Sequence, residues 1–173
     1  MEDRKPMTHI TGGLIIAALL IVYSVALNFL GLSTNQSLGY ITYAILIIGL
    51  LVVINMYAKS KENHVTFGEL FAFGFKTTAV FTTIFIIFIV IFNLLFPELK
   101  EKGFEMARQQ LEEQGKLSDE QIDQALAMGS KFFWVGVVGG TLLFFVILGA
   151  LGSLIGAAVT KKKPVNPLDE FSA

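Results

Sequence analysis

The residues able to do chemistry in this chain are few and scattered. There are two histidines, His9 and His64. Neither has an acid or nucleophile at a working spacing, as a hydrolytic site would need. No histidine falls within an apolar run, where a haem or quinone protein would usually hold one. The absence of cysteine removes disulfides, thiolate metal sites and a cysteine nucleophile. No HExxH and no phosphate-binding glycine loop occur, and the Gly12-Gly13 pair is too short to be one. The acids between 97 and 131 lack metal-ligand spacing. The expectation is therefore of no catalytic residues, no metal, no cofactor and no enzymatic activity.

What remains is a set of polar groups inside or beside apolar stretches: Asn28, Asn55, Asn93, Lys76, Thr77, Thr78, Thr82 and Thr83. Asn28, Asn93 and the threonines could coordinate a polar solute. The commoner use of such groups is to bond backbone carbonyls or cross between helices for modest gain. Lys76 reads either as an ion or proton site or as an anchor whose stem lies among Phe71, Phe73 and Phe75 while its ammonium reaches the headgroups. Asn28, Asn93 and Lys76 are the candidate polar intramembrane residues.

These groups are carried by segments that belong in lipid. Of 173 residues, 54% are hydrophobic and 16% charged, and mean hydropathy is +0.67. A soluble domain is nearer a quarter charged. The net charge of −1 leaves no basic surface for nucleic acid. A spanning helix needs roughly 20 mostly apolar residues. Residues 10–30, 39–58, 77–96 and 132–160 are long enough and carry no charge. The third helix is expected to start earlier, giving 67–96. Thr66 and Glu69 have capping-box spacing, and Glu69 sits at the positive end of the helix dipole. The first apolar run is too long for a typical signal-peptide core and lacks a small-x-small cleavage site, so it reads as a retained anchor.

Orientation follows the basic residues. Arg4, Lys5, Lys59, Lys61, Lys161, Lys162 and Lys163 all flank one side. The link 31–38 has no charge, and residues 97–131 hold five basic against eight acidic side chains, a net of −3. Both termini are expected in the cytoplasm and the 97–131 insert outside. Pro164 and Pro167 mark a disordered tail over 164–173.

The insert reads as two helices. Pro97 suits a first helical position, and Phe104, Ala107 and Leu111 form a narrow stripe. Gly115 suits the residue past a helix end. Ser118 and Gln121 form a second capping box, with Leu117 and Ile122 as a staple. Ile122, Ala125 and Leu126 repeat the narrow stripe. The two stripes could zip together, lie on the membrane or receive a partner. A loop this long usually has a role, so the insert is where a protein partner is expected.

Phe81, Phe85, Phe88, Phe92 and Phe96 form one helical stripe, suited to a partner helix, a bundle neighbour or lipid. Small residues let helices approach in lipid. Gly136-x-x-x-Gly140 and Gly152-x-x-x-Gly156, with Gly149, point to two sides of the last span. Gly13 and Ala17 begin a small face on the first, continued by Ser24 and Asn28. The expected helix-packing residues are Gly13, Ala17, Gly136, Gly140, Gly149, Gly152 and Gly156, with the faces of the first and last spans meeting.

The layout resembles the bacterial membrane protein family called domain-of-unknown-function family 4199, over roughly residues 7–163. The likeness rests on Gly12-Gly13-Leu14-Ile15, on Val65-Thr66-Phe67-Gly68-Glu69 with Phe71 and Gly74 beyond, on Phe96-Pro97, on the charged insert, and on the glycine-rich last span running into Lys161–Lys163. Membership implies a four-helix protein of the bacterial inner membrane and carries over no functional residues. The expected fold is thus an all-α integral membrane chain, a four-helix transmembrane bundle over 1–163 with an extracytoplasmic helical insert. The expected role is a non-enzymatic accessory or scaffold protein in contact with the bilayer. The alternative is a small homo-oligomeric transporter or channel.

Overall fold

The computed structural model describes residues 7–33 and 35–163. Arg4, Lys5 and the 164–173 tail lie outside the described residues. The described residues form six helices: α1 (His9–Phe29), α2 (Gln36–Ser60), α3 (Phe67–Leu95), α4 (Glu98–Gln114), α5 (Asp119–Lys131) and α6 (Phe133–Val159). No strand occurs among the described residues. Four of the helices, α1, α2, α3 and α6, are long and apolar enough to cross a membrane.

Local chemistry sets the boundaries. Thr8 caps α1 by accepting from the Thr11 amide at 3.1 Å. The other end of α1 closes on Gly31 at φ +68°. There the Leu32 amide reaches the Leu27 carbonyl at 2.9 Å and the Gly31 amide reaches Asn28 at 3.0 Å, the paired bonds of a Schellman end. α2 starts three residues before the expected 39 because the Asn35 side chain caps it, accepting from Ser37 at 3.0 Å. α2 ends in the same Schellman pattern, with the Asn63 amide on Ala58 at 2.8 Å. Here the left-handed positions are Glu62 and Asn63 rather than glycine, a costlier choice for a side-chain-bearing residue. The Asn63 carbonyl also accepts the Lys163 amide at 2.8 Å, tying the turn to the end of α6. The capping box that opens α3 is present: the Thr66 amide donates to Glu69 Oε2 at 2.7 Å and the Glu69 amide to Thr66 Oγ1 at 3.2 Å.

The chain divides into two compact units, Met1–Phe85 with Phe144–Ala173, and Ile86–Leu143. In the first, Ile16, Leu20, Leu46, Leu50, Ile54, Leu70, Phe81 and Ala157 are buried. Glycines set how closely their helices approach. A Cβ on Gly12 would meet Thr77 and Val53 at 3.4 Å, and one on Gly13 would fall 2.6 Å from Val80 Cβ. A Cβ on Gly152 would lie 2.9 Å from Leu50 Cδ1, one on Gly156 2.6 Å from Ile54 Cδ1, and one on Gly149 inside the Thr78 side chain. The small faces of the first and last spans therefore do not meet each other as expected. Each receives larger side chains from α2 and α3. The reason is steric: a glycine forms a hole, and a Val, Ile, Leu or Thr fills it better than a second hole would.

The second unit contains α4 and α5, packed as a helical hairpin. Ile122 is its buried side chain. Gly129 admits Phe104, whose Cε1 would lie 3.3 Å from an added Cβ.

Candidate functional site

The hairpin shows why its two helices hold together despite narrow apolar stripes. α4 follows Pro97, which already has helical dihedrals, and α4 ends at Gly115 with φ 60°. Both bonds of the Ser118–Gln121 capping box are made, the Ser118 amide to Gln121 Oε1 at 2.9 Å and the Gln121 amide to Ser118 Oγ at 3.4 Å. Between the helices the Arg108 guanidinium donates to Asp123 and also faces Glu112 at 3.8 Å. The bond to Asp123, then the charge of Asp123, hold the Arg108 pKa above its ordinary value. Lys100 stands over the rings of Phe104 at 5.9 Å and Phe133 at 4.9 Å, a cation–π arrangement.

Pro97, Glu101, Glu105, Arg108, Leu126 and Ser130 line a cleft of about 600 Å³ in this unit. Its walls mix both charge signs with apolar surface. The outer faces of the hairpin carry Glu112, Glu113, Asp119, Glu120 and Gln124, all exposed. This is a polar, mostly acidic exposed surface. Among the described residues no cluster of three His, Cys, Asp or Glu side chains could hold a metal.

Several of the candidate intramembrane residues bond within their own helices. Asn93 donates to the Ile89 carbonyl of its own helix at 3.0 Å. Asn28 is half-buried and contributes its backbone carbonyl to the close of α1. Thr77, Thr78 and Thr83 return their hydroxyls to Phe73, Gly74 and Ala79 at 2.9, 3.0 and 2.9 Å. Thr82 and Ser153 are buried hydroxyls without a partner among the described residues. Lys76 is exposed and lines a second cleft with Tyr57 and Glu69.

The helix-packing candidates divide. Gly13, Ala17, Gly149, Gly152 and Gly156 are buried. Gly136 and Gly140 are exposed, and a Cβ at either would have nothing within 4 Å. Phe81 and Phe85 of the phenylalanine stripe stack edge-on against Phe145 of α6, at 5.3 and 5.5 Å. Phe88 and Phe92 lie 5.1 Å apart along α3, and Phe92 meets Phe96, just past the end of α3, at 4.8 Å. Two features escaped the sequence reading. The Asn63–Lys163 tie joins residues far apart in the chain. Lys162 caps the end of α6, its Nζ donating to the Ala157 and Thr160 carbonyls at 2.7 and 2.9 Å. The run of lysines after an apolar helix is the signal for that cap.

A model of the family described as "Protein of unknown function (DUF4199)" matches residues 10–162. Neither the curated proteins nor the solved structures contain a match.

Proposed function

The chain belongs to the DUF4199 family, and we propose that it is a non-enzymatic accessory or scaffold protein of the bacterial inner membrane. In this reading α1, α2, α3 and α6 form a transmembrane bundle with both termini in the cytoplasm, and α4 and α5 stand outside and make the partner contact. The orientation is supported by the basic flanks and by the rule that such residues stay inside. The observation that carries the role is the hairpin. Its ends are capped by Gly115 and by the Ser118–Gln121 box, and its helices are cross-tied through Arg108 and Asp123. A spacer has no need of such order, whereas a surface presented to a partner does, because order acquired before binding lowers the cost of association.

Thr77, Thr78, Thr83 and Asn93 weigh against a solute pathway, since each donates to a carbonyl of its own helix. Removing residues 99–129 and joining the ends tests the reading against Asn93→Leu. For a scaffold, the shortened chain inserts and unfolds at the wild-type temperature but loses its partner, while Asn93→Leu keeps it. Partner retention by the shortened chain contradicts the proposal. A solute flux lost in Asn93→Leu establishes the transporter alternative.

A further inference from the structure

We propose that the cleft between the start of α1 and the start of α3 binds the headgroup of an anionic phospholipid, with one acyl chain lying along α3. The cleft measures about 520 Å³ and is lined by His9, Ile10, Tyr57, Ala72, Lys76 and Glu69 among others. Its donors are uncommitted. Lys76 has no ion pair among the described residues. The Thr8 side chain takes the Thr11 amide, and the first turn of α1 carries no acid. The amides of His9 and Ile10 are thus left for an outside anion, as helix N-termini allow. The Tyr57 ring is held in place, stacked on Phe73 at 4.1 Å with Lys61 above it at 5.5 Å. Its hydroxyl end is the polar part of an otherwise apolar side chain. The one carboxylate in the cleft, Glu69, is engaged by the Thr66 amide at 2.7 Å and hydroxyl at 3.1 Å. Glu69 keeps its charge, but the groups left to reach a ligand, the Lys76 ammonium, the Tyr57 hydroxyl and the two amides, are donors.

A lipid fits this better than a free anion because the cleft continues. Ala79, Val80, Thr83 and Ile84 line a shallow trough of about 360 Å³. Ala72 and Lys76 in the cleft and Ala79 and Thr83 in the trough are spaced four, three and four apart, so they share one face of α3. Thr83 turns its hydroxyl back to the Ala79 carbonyl at 2.9 Å, which leaves its methyl for the trough. Small residues in lipid let a neighbour approach closely and pack, and here the neighbour is a hydrocarbon chain. Basic pockets at the cytoplasmic ends of membrane helices suit such headgroups. The site lies on Met1–Phe85 and does not depend on a protein partner.

Thermal unfolding and native mass spectrometry of the full chain in a zwitterionic detergent test this. The additions are dioleoyl phosphatidylglycerol, dioleoyl phosphatidylcholine or inorganic phosphate alone. We expect one saturable phosphatidylglycerol per chain, bound about fivefold or more tightly than phosphatidylcholine, the effect of a single lysine near an anionic surface. Lys76→Gln removes that preference and Lys76→Arg keeps it. Ala79→Phe, which fills the trough from a lipid-facing position, weakens both lipids. Lys131→Gln changes nothing. Equal binding of the two lipids, unsaturable binding, or an unchanged preference in Lys76→Gln overturns the site. So does protection by phosphate alone equal to that by phosphatidylglycerol, which would assign the anion to solution. Should Lys76→Gln not fold, wild-type affinity in Ala79→Phe still refutes the acyl-chain placement.

Discussion

Gly149→Ala is the sharpest test of how α3 and α6 fit together. The new Cβ would stand 2.8 Å from Thr78 Cβ, with Thr78 Cγ2 and Oγ1 closer still, whereas ordinary contact begins at 3.4 Å. Thr78 is β-branched and stiff at χ1 in a helix, and its hydroxyl is bonded to the Gly74 carbonyl at 3.0 Å. It does not swing away cheaply, so the helices must part locally. Overpacking of this kind costs about 1–3 kcal/mol. Alanine regains up to about 1 kcal/mol over glycine in a helix interior. The net expectation is a loss of about 1–2 kcal/mol, roughly a 5- to 30-fold change in the folded ratio. Gly140→Ala is the internal control. Nothing lies within 4 Å of its Cβ, so it should be neutral or slightly stabilising. Reversible unfolding by dodecyl sulfate in mixed micelles reads both. Thr78→Ala removes two of the three close atoms and should restore part of the loss in the double variant, with a coupling of about 0.5–3 kcal/mol. Equal stabilities for Gly149→Ala and Gly140→Ala would refute the packing argument.

Three further outcomes are expected. Ser118→Ala should cost about 1 kcal/mol locally by removing the side-chain half of the α5 cap, seen as faster amide exchange at 119–122; unchanged exchange there would contradict the cap. The raised pKa of Arg108 means that its pairing is fully present below the unfolded value and is lost only as pH rises through the higher folded one. Amide protection in 108–123, corrected for intrinsic exchange, should therefore be flat from about pH 6 to about pH 9, and a fall in that window would count against the Arg108–Asp123 tie. Because the chain has no cysteine, Glu113→Cys and Ser60→Cys can each be labelled singly in intact cells: an impermeant maleimide should reach the first and spare the second, and the reverse pattern would invert the topology.

The local devices were legible in the sequence. Thr66 with Glu69, Ser118 with Gln121, and Gly115 each depend on residues within a few positions, and each appears where its spacing placed it. The partners of the glycines were not legible. Gly136-x-x-x-Gly140 and Gly152-x-x-x-Gly156 are the same pattern in the chain, yet one is open and the other is filled by Leu50, Leu51 and Ile54. A motif records that close approach is allowed, while the crossing of two helices decides where it happens. The cleft at Lys76 was invisible for a similar reason. Its walls come from α1, α2 and α3, and the sequence offered only one wall, where Lys76 read either as an ion or proton site or as an anchor among phenylalanines.

The claim that the hairpin acts through a partner is met most directly by gentle purification of a tagged copy from its own membranes, alongside the copy lacking residues 99–129. The account predicts a reproducible stoichiometric partner with the full chain and its loss with the shortened one, at equal yield of folded protein. Recovery of the same partner by both copies, or of only the chain itself as a defined oligomer, would contradict it.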